Sequence, residues 1–209
     1  MKIYILILAL LPVVCFLVWI YYKDKYEKEP VAKLVQYFFM GILVSILAIF
    51  MEIYLSKFNN LSGIESNIYT AFFVAAFTEE GVKSIILIPM LLGEKDFNEK
   101  LDGIIYSIIL SLGFATVENI IYLMKERVDL SLGLAITRGL ISIPSHIMFA
   151  ITMGYYISKY KFAKDNNKKI KYLFYAVIIP ILLHGVFDFI LMIGYRWAII
   201  VFIVYVIFL

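Results

Sequence analysis

The sequence predicts an all-α protein, a polytopic transmembrane bundle of about seven helices, or eight with one short interfacial element, forming a single membrane-embedded domain over residues 1–209. Three observations predict it. Hydrophobic residues make up 63% of the chain and charged ones only 17%, too few to clothe a soluble globule. The apolar residues fall in runs of about 20, the length a helix needs to cross the hydrocarbon core. The basic residues are divided unevenly between the connections, which gives a multi-pass chain its orientation.

The first span, about 3–22, is too long for a removable signal peptide and lacks small-residue cleavage signals, so it reads as a retained anchor. Spans follow at about 34–56, 67–92, 103–124, 132–158 and 172–193. A last one, 196–209, offers about 14 residues where a perpendicular helix requires about 20. The segments 23–33, 93–102 and 159–171 together carry twelve lysines, against five basic residues (Lys2, Lys57, Lys125, Arg127 and Arg196) on the other side. This bias places the Lys-rich segments in the cytoplasm and the N-terminus on the outer side of the membrane. The net charge of +3 is small, and no basic patch with interleaved aromatics suggests nucleic acid; the expected surroundings are a lipid bilayer. Cys15 is the sole cysteine, which excludes an intrachain disulfide and a cysteine-rich metal site.

The third span carries the densest chemistry, Phe77-Thr-Glu-Glu-Gly-Val-Lys83. An ionised group at mid-membrane costs at least about 2.5–3.5 kcal/mol, so these side chains require partners within the bundle. Glu79 is four residues before Lys83 and Glu80 three, which places both acids beside the cation on one helix face. One acid suffices for an ion pair that fixes register. Two adjacent carboxylates repel, an arrangement that suits proton handling better than a strut.

In the fourth span Gly103, Ser107, Ser111 and Ala115 recur every four residues and let another helix approach closely. Asn119 continues that stripe, with Glu118 beside it. The fifth span holds Arg138, Pro144 and His146; the proline frees a backbone carbonyl in the turn that bears the histidine. In the sixth, His184 and Asp188 lie four apart, so the carboxylate can hold one imidazole nitrogen and leave the other as base or ligand. Glu79, Glu80, His146 and His184 fall near the centres of their spans, and Glu118, Arg138 and Asp188 in the outer halves. Four helices thus aim polar groups at one region. A hydrolase and a proton- or ion-coupled transporter both fit that constellation, although no internal repeat of the transporter kind is evident. A scaffold would leave the buried acids dispensable.

The series Glu79-Glu80-x-x-Lys83, Phe114-x-x-x-Glu118-Asn119, Pro144-x-His146 and His184-x-x-x-Asp188, in that order on successive helices, resembles the PrsW family of membrane proteases, a distant branch of the superfamily of CAAX prenyl endopeptidases and bacteriocin-immunity proteases. The stretch Asp24-Lys-Tyr-Glu-Lys-Glu-Pro30 and the pair Asp102-Gly103 share the resemblance. It implies a membrane-embedded endopeptidase that makes the first cut in a single-span partner, an anti-sigma factor, in regulated intramembrane proteolysis. A CAAX-type processing endopeptidase is the alternative within the superfamily, whose prenyl branch has a His where this chain has Glu118.

Two mechanisms fit the residues. In one, Glu79 is a general base for water, Glu80 shares its proton or pairs with Lys83, and His184 with Asp188 or Asn119 stabilises the oxyanion. In the other, Glu80, His146 and His184 hold a zinc ion and another Glu is the base. Catalytic candidates are therefore Glu79, Glu80, Glu118, His146, His184 and Asp188, with Lys83, Asn119 and Arg138 supporting them. No HExxH sequence is present.

Overall fold

The structure, a computed structural model, describes residues 2–23, 28–126 and 130–194, and all regular structure among them is helical. Helices α1 (Lys2–Lys23) and α2 (Val31–Ser56) precede a composite rod of α3 (Gly63–Ile68), a π-helical stretch Tyr69–Ala76 and α4 (Phe77–Gly93). Then come α5 (Lys100–Lys125), a second composite rod of α6 (Ser131–Thr137), π-helical Arg138–Ser142 and α7 (Ile143–Phe162), and finally α8 (Asn166–Met192).

These make six rods among the described residues, not seven or eight, and they match the first six expected spans. The seventh, 196–209, lies outside the described residues. No interfacial helix forms within 93–102, because Asp102 stops the turn from continuing backwards: its Oδ2 accepts from the backbone N–H groups of Asn98 (2.9 Å) and Glu99 (2.6 Å), so α5 starts at Lys100. Five rods are long and apolar enough to cross a membrane, with α6–α7 taken as one. The α3–α4 rod, bearing Glu79, Glu80 and Lys83, is not among the five.

The bundle is built around α5. Buried residues make up 72% of its most apolar window against 22% for α1 and for α2, so α5 is the central post and the first two helices present apolar faces outwards. Its main neighbours are α7, α2 and α1. The small-residue stripe faces α7: Ser158 Oγ donates to Lys100 O (2.8 Å), Ser111 Oγ donates to His146 O (3.1 Å), and a methyl on Gly154 would strike Gly103 O. A second close approach, between α2 and α5, is reciprocal. A Cβ on Gly41 would strike the Leu110 carbonyl, and one on Gly113 would strike that of Phe38.

The ends of the bundle differ. At one end the Lys-rich connections converge: Lys33 Nζ lies 2.8 Å from Glu94 Oε2, and the Lys161 ammonium donates to the Phe97 carbonyl. Beneath them the buried Glu29 carboxylate accepts from the Tyr106 hydroxyl, whose ring packs on Tyr37 with centroids 4.4 Å apart. Glu29, Asp102 and Gly103, which all belong to the family-like sequence, therefore cap and pack this end. The opposite end opens into the polar cavity described next.

Candidate active site

Both composite rods change helical period just ahead of their polar residues. A π-helical turn hydrogen-bonds i to i+5 and shifts the face that the following residues present. Tyr69–Ala76 precedes Thr78, Glu79 and Glu80; Arg138–Ser142 precedes Pro144, which has no N–H to give, and then His146.

Lys83 is the centre of the inner layer. Its Nζ is 2.8 Å from Glu80 Oε1, 3.4 Å from Glu79 Oε2 and 3.4 Å from His146 Nδ1, and it sits 3.9 Å from the Phe114 ring centroid with only 2% of the residue exposed. Glu80 Oε1 also meets His184 Nδ1 at 3.0 Å. His184 Nε2 lies 3.4 Å from Asp188 Oδ2, and the Phe149 ring stacks on the imidazole at 4.8 Å and 16°. Asp188 therefore does hold one nitrogen, but the other is not left free: Glu80 has it. Carboxylates only accept, so an imidazole serving both donates from both nitrogens.

The outer layer is built on α5. Glu118 Oε2 meets His146 Nε2 at 2.7 Å, and its Oε1 lies 3.2 Å from Arg138 Nη2. Arg138 Nε donates to Asn119 Oδ1 at 2.5 Å, while the guanidinium lies 4.2 Å from the Tyr122 ring centroid. Asn119 is fully buried and its Nδ2 donates to Ala9 O (3.1 Å), so it ties Arg138 to α1, and among the described residues its side-chain hydrogen bonds go to these two groups and not to His184.

A cavity of about 510 Å³ meets these layers, with Glu52 and Ser45 of α2, Thr70 and Glu79 of the α3–α4 rod, Glu118, Tyr122 and Lys125 of α5, Arg138 and His146, and His184 and Asp188 of α8 in its wall. Glu80 and Lys83 are not in that wall; they lie behind it. Glu52 and Phe149 escaped the sequence reading. Glu52 is an acid within an apolar run, the same signal that marked Glu79, but four residues from the end of α2 it passes for an interfacial charge.

Donor atoms of two triads come within 4.8 Å of one another: Glu79, Glu80 and His184, and Glu79, Glu118 and His146. The set Glu80, His146 and His184 is not one of them, since the two histidines fall in different triads and the Lys83 ammonium stands between Glu80 and His146. Imidazole with carboxylates is a donor set that suits zinc.

A family model described as PrsW family intramembrane metalloprotease matches residues 29–209. The chain belongs to the PrsW family. It is 56% identical over 209 residues to a protein named protease PrsW from Clostridioides difficile (strain 630), covering 100% of this chain and 88% of that one. It is 37% identical over 188 residues to protease PrsW of Geobacillus kaustophilus (strain HTA426), covering 90% and 79%, and 34% over 186 residues to that of Bacillus subtilis (strain 168), covering 89% and 82%. No solved structure matches. Membership decides between peptidase and transporter: the chain is an intramembrane endopeptidase of a multi-pass kind, and its substrates are membrane proteins.

The inner layer makes a prediction of its own. Lys83→Met removes the one ammonium that matches Glu79 and Glu80, and leaving buried charge uncompensated costs about 3–5 kcal/mol. Thermal unfolding in detergent should show a large loss of stability; an unchanged melting temperature would mean that the two acids do not depend on Lys83.

Proposed function

We propose that this endopeptidase makes the first cut in a single-span membrane protein, an anti-sigma factor by the family resemblance, in a bacterial cell membrane, with Glu79 at the reacting centre. The observation that carries this is the separation of the two adjacent glutamates. Glu80 is committed to Lys83 and His184 outside the cavity wall, whereas Glu79 faces the cavity and is held only at 3.4 Å by Lys83. A carboxylate so placed can take the proton of an attacking water, a role worth about 10²–10⁴-fold in rate. Its neighbours divide the remaining work. Glu80 and Asp188 hold the His184 ring from either side, which fixes its orientation in the cavity wall. Arg138, itself held by Asn119, holds Glu118, which orients His146.

The family description as a metalloprotease favours a second reading of the same wall. Glu79, Glu118 and His146 all line the cavity and supply the donors a divalent ion such as zinc requires. An ion held there would act as a Lewis acid toward the scissile carbonyl. Glu79 belongs to both triads, so both readings make it indispensable.

Depth supports where the cut falls. The lining residues Ile53, Tyr122, Lys125 and Met192 sit near the C-terminal ends of α2, α5 and α8, at the end of the bundle opposite the Lys-rich connections. A single-span substrate is helical in lipid with every backbone group satisfied, so cutting near the outer end of its span avoids unwinding it at mid-membrane. Mass spectrometry of a cleaved single-span substrate is expected to place the cut at that outer end, and metal analysis of the same preparation separates the two chemistries. Maleimide labelling of Cys15-free variants with one new cysteine at Lys28 or Lys164 should occur only from the cytoplasm. Labelling of both from outside intact cells, or a cytoplasmic cut, would overturn this orientation.

A further inference from the structure

Four carboxylates, Glu52, Glu79, Glu118 and Asp188, line the cavity against two permanent cations, Lys125 and Arg138. Three of the four are matched: Glu79 by Lys83, Glu118 by Arg138 and His146, and Asp188 by His184. Glu52 alone makes no hydrogen bond or ion pair among the described residues, although it is only partly exposed and lies on the cavity face of α2 together with Ser45, Ile49 and Ile53, the i, i+4, i+7, i+8 stripe of one helix side. It stands four residues before the end of α2, roughly 6 Å along the axis. A half-buried carboxyl group without a direct partner among the described residues can take as its partner a cation brought by something else. The two donor triads do not include Glu52, so a bound ion would leave it unmatched.

We propose that Glu52 is a specificity residue that receives a lysine or arginine side chain of the substrate, next to the bond that is cut. The inference rests on the outer-side peptidase reading and adds a charge requirement to it. As the substrate extends across the mouth, one of its side chains meets the α2 wall while its backbone passes Glu79; a basic side chain there gains a charge-assisted hydrogen bond that a neutral one does not. Glu52 thereby sets the position of the cut as well as the choice of substrate.

The test uses the full-length chain in nanodiscs and synthetic peptides, each an apolar span of about 20 residues followed by an outer flank in which one position at a time carries Lys, Gln or Glu. The expected result is that Lys at one fixed position from the cut raises kcat/KM about tenfold over Gln, an interaction of the size of one hydrogen bond to a charged group. Glu52→Gln should erase that preference, so that the Lys and Gln peptides are cut at equal rates by the variant, and Glu52→Lys should transfer the preference to Glu at the same position. An unchanged preference in Glu52→Gln, or an equal loss on all three peptides, would overturn the assignment. Binding of the same peptides to the Glu79→Gln protein, followed by fluorescence anisotropy, keeps the two claims apart. Absence of any cleavage by the wild type would sink the peptidase reading for these substrates, whereas equal binding of Lys, Gln and Glu peptides to proteins with and without Glu52 would sink the role of Glu52 alone.

Discussion

Glu79→Gln should stop peptide cleavage, with a loss of about 10²–10⁴-fold or more, while the protein stays folded. The substitution keeps the shape of the side chain, and Glu79 makes a single long contact with Lys83 at 3.4 Å, so little packing is disturbed. What disappears is the basicity and the donor atom shared by both triads. Glu80→Gln should also lose activity, but through a different route. It breaks the 2.8 Å pair with Lys83 and the 3.0 Å contact with His184, so it lowers thermal stability as well as rate. Measuring the melting temperature and the single-turnover rate on both variants separates the roles. If Glu79→Gln melts lower than wild type and Glu80→Gln does not, the two residues have been assigned the wrong way round.

The other large effect is expected where no polar residue is involved. Gly41 and Gly113 face each other's helix so closely that an added methyl would land on the backbone carbonyl of Leu110 or of Phe38. Backbone cannot swing aside as a long side chain can, so Gly41→Ala or Gly113→Ala must push α2 and α5 apart. Overpacking costs about 1–3 kcal/mol at an ordinary core site, and this contact lies at the upper end because association in lipid depends on close packing without a hydrophobic drive. Activity should fall with stability, because α2 carries Ser45 and Glu52 and α5 carries Glu118 on facing walls of the same cavity. Thermal unfolding of the double variant gives the check. Additive losses would mean independent sites, whereas a second substitution that costs little after the first would mark one shared crossing point.

Much of the molecule was legible in the chain because the bilayer restricts what apolar runs can do. Runs of about 20 residues had to be helices, since no other open structure satisfies its backbone in lipid, and the six described rods lie where the runs do. Their ends extend past the apolar stretches: α8 begins at Asn166 rather than near 172 because Asp165 caps it in the polar interface, where hydropathy gives no signal. Glu79, Glu118, His146, His184 and Asp188 stood out as groups too costly to bury unpaired, and the fold does bring them together. Partner choice was not in the sequence. Helical spacing put both Glu79 and Glu80 beside Lys83, but only the packing of α4 against α8 gives Glu80 to His184 and turns Glu79 to the cavity. Asn119 shares its stripe with residues that face α7, yet α1 and Arg138 claim it. Glu52 joins the site through the packing of α2 against α5, which is closest at Gly41 and Gly113. The sequence alone determined which side chains must find partners, since that follows from the local cost of burying charge; the tertiary structure decided which partners they find, since that depends on the rotation and crossing of helices far apart in the chain.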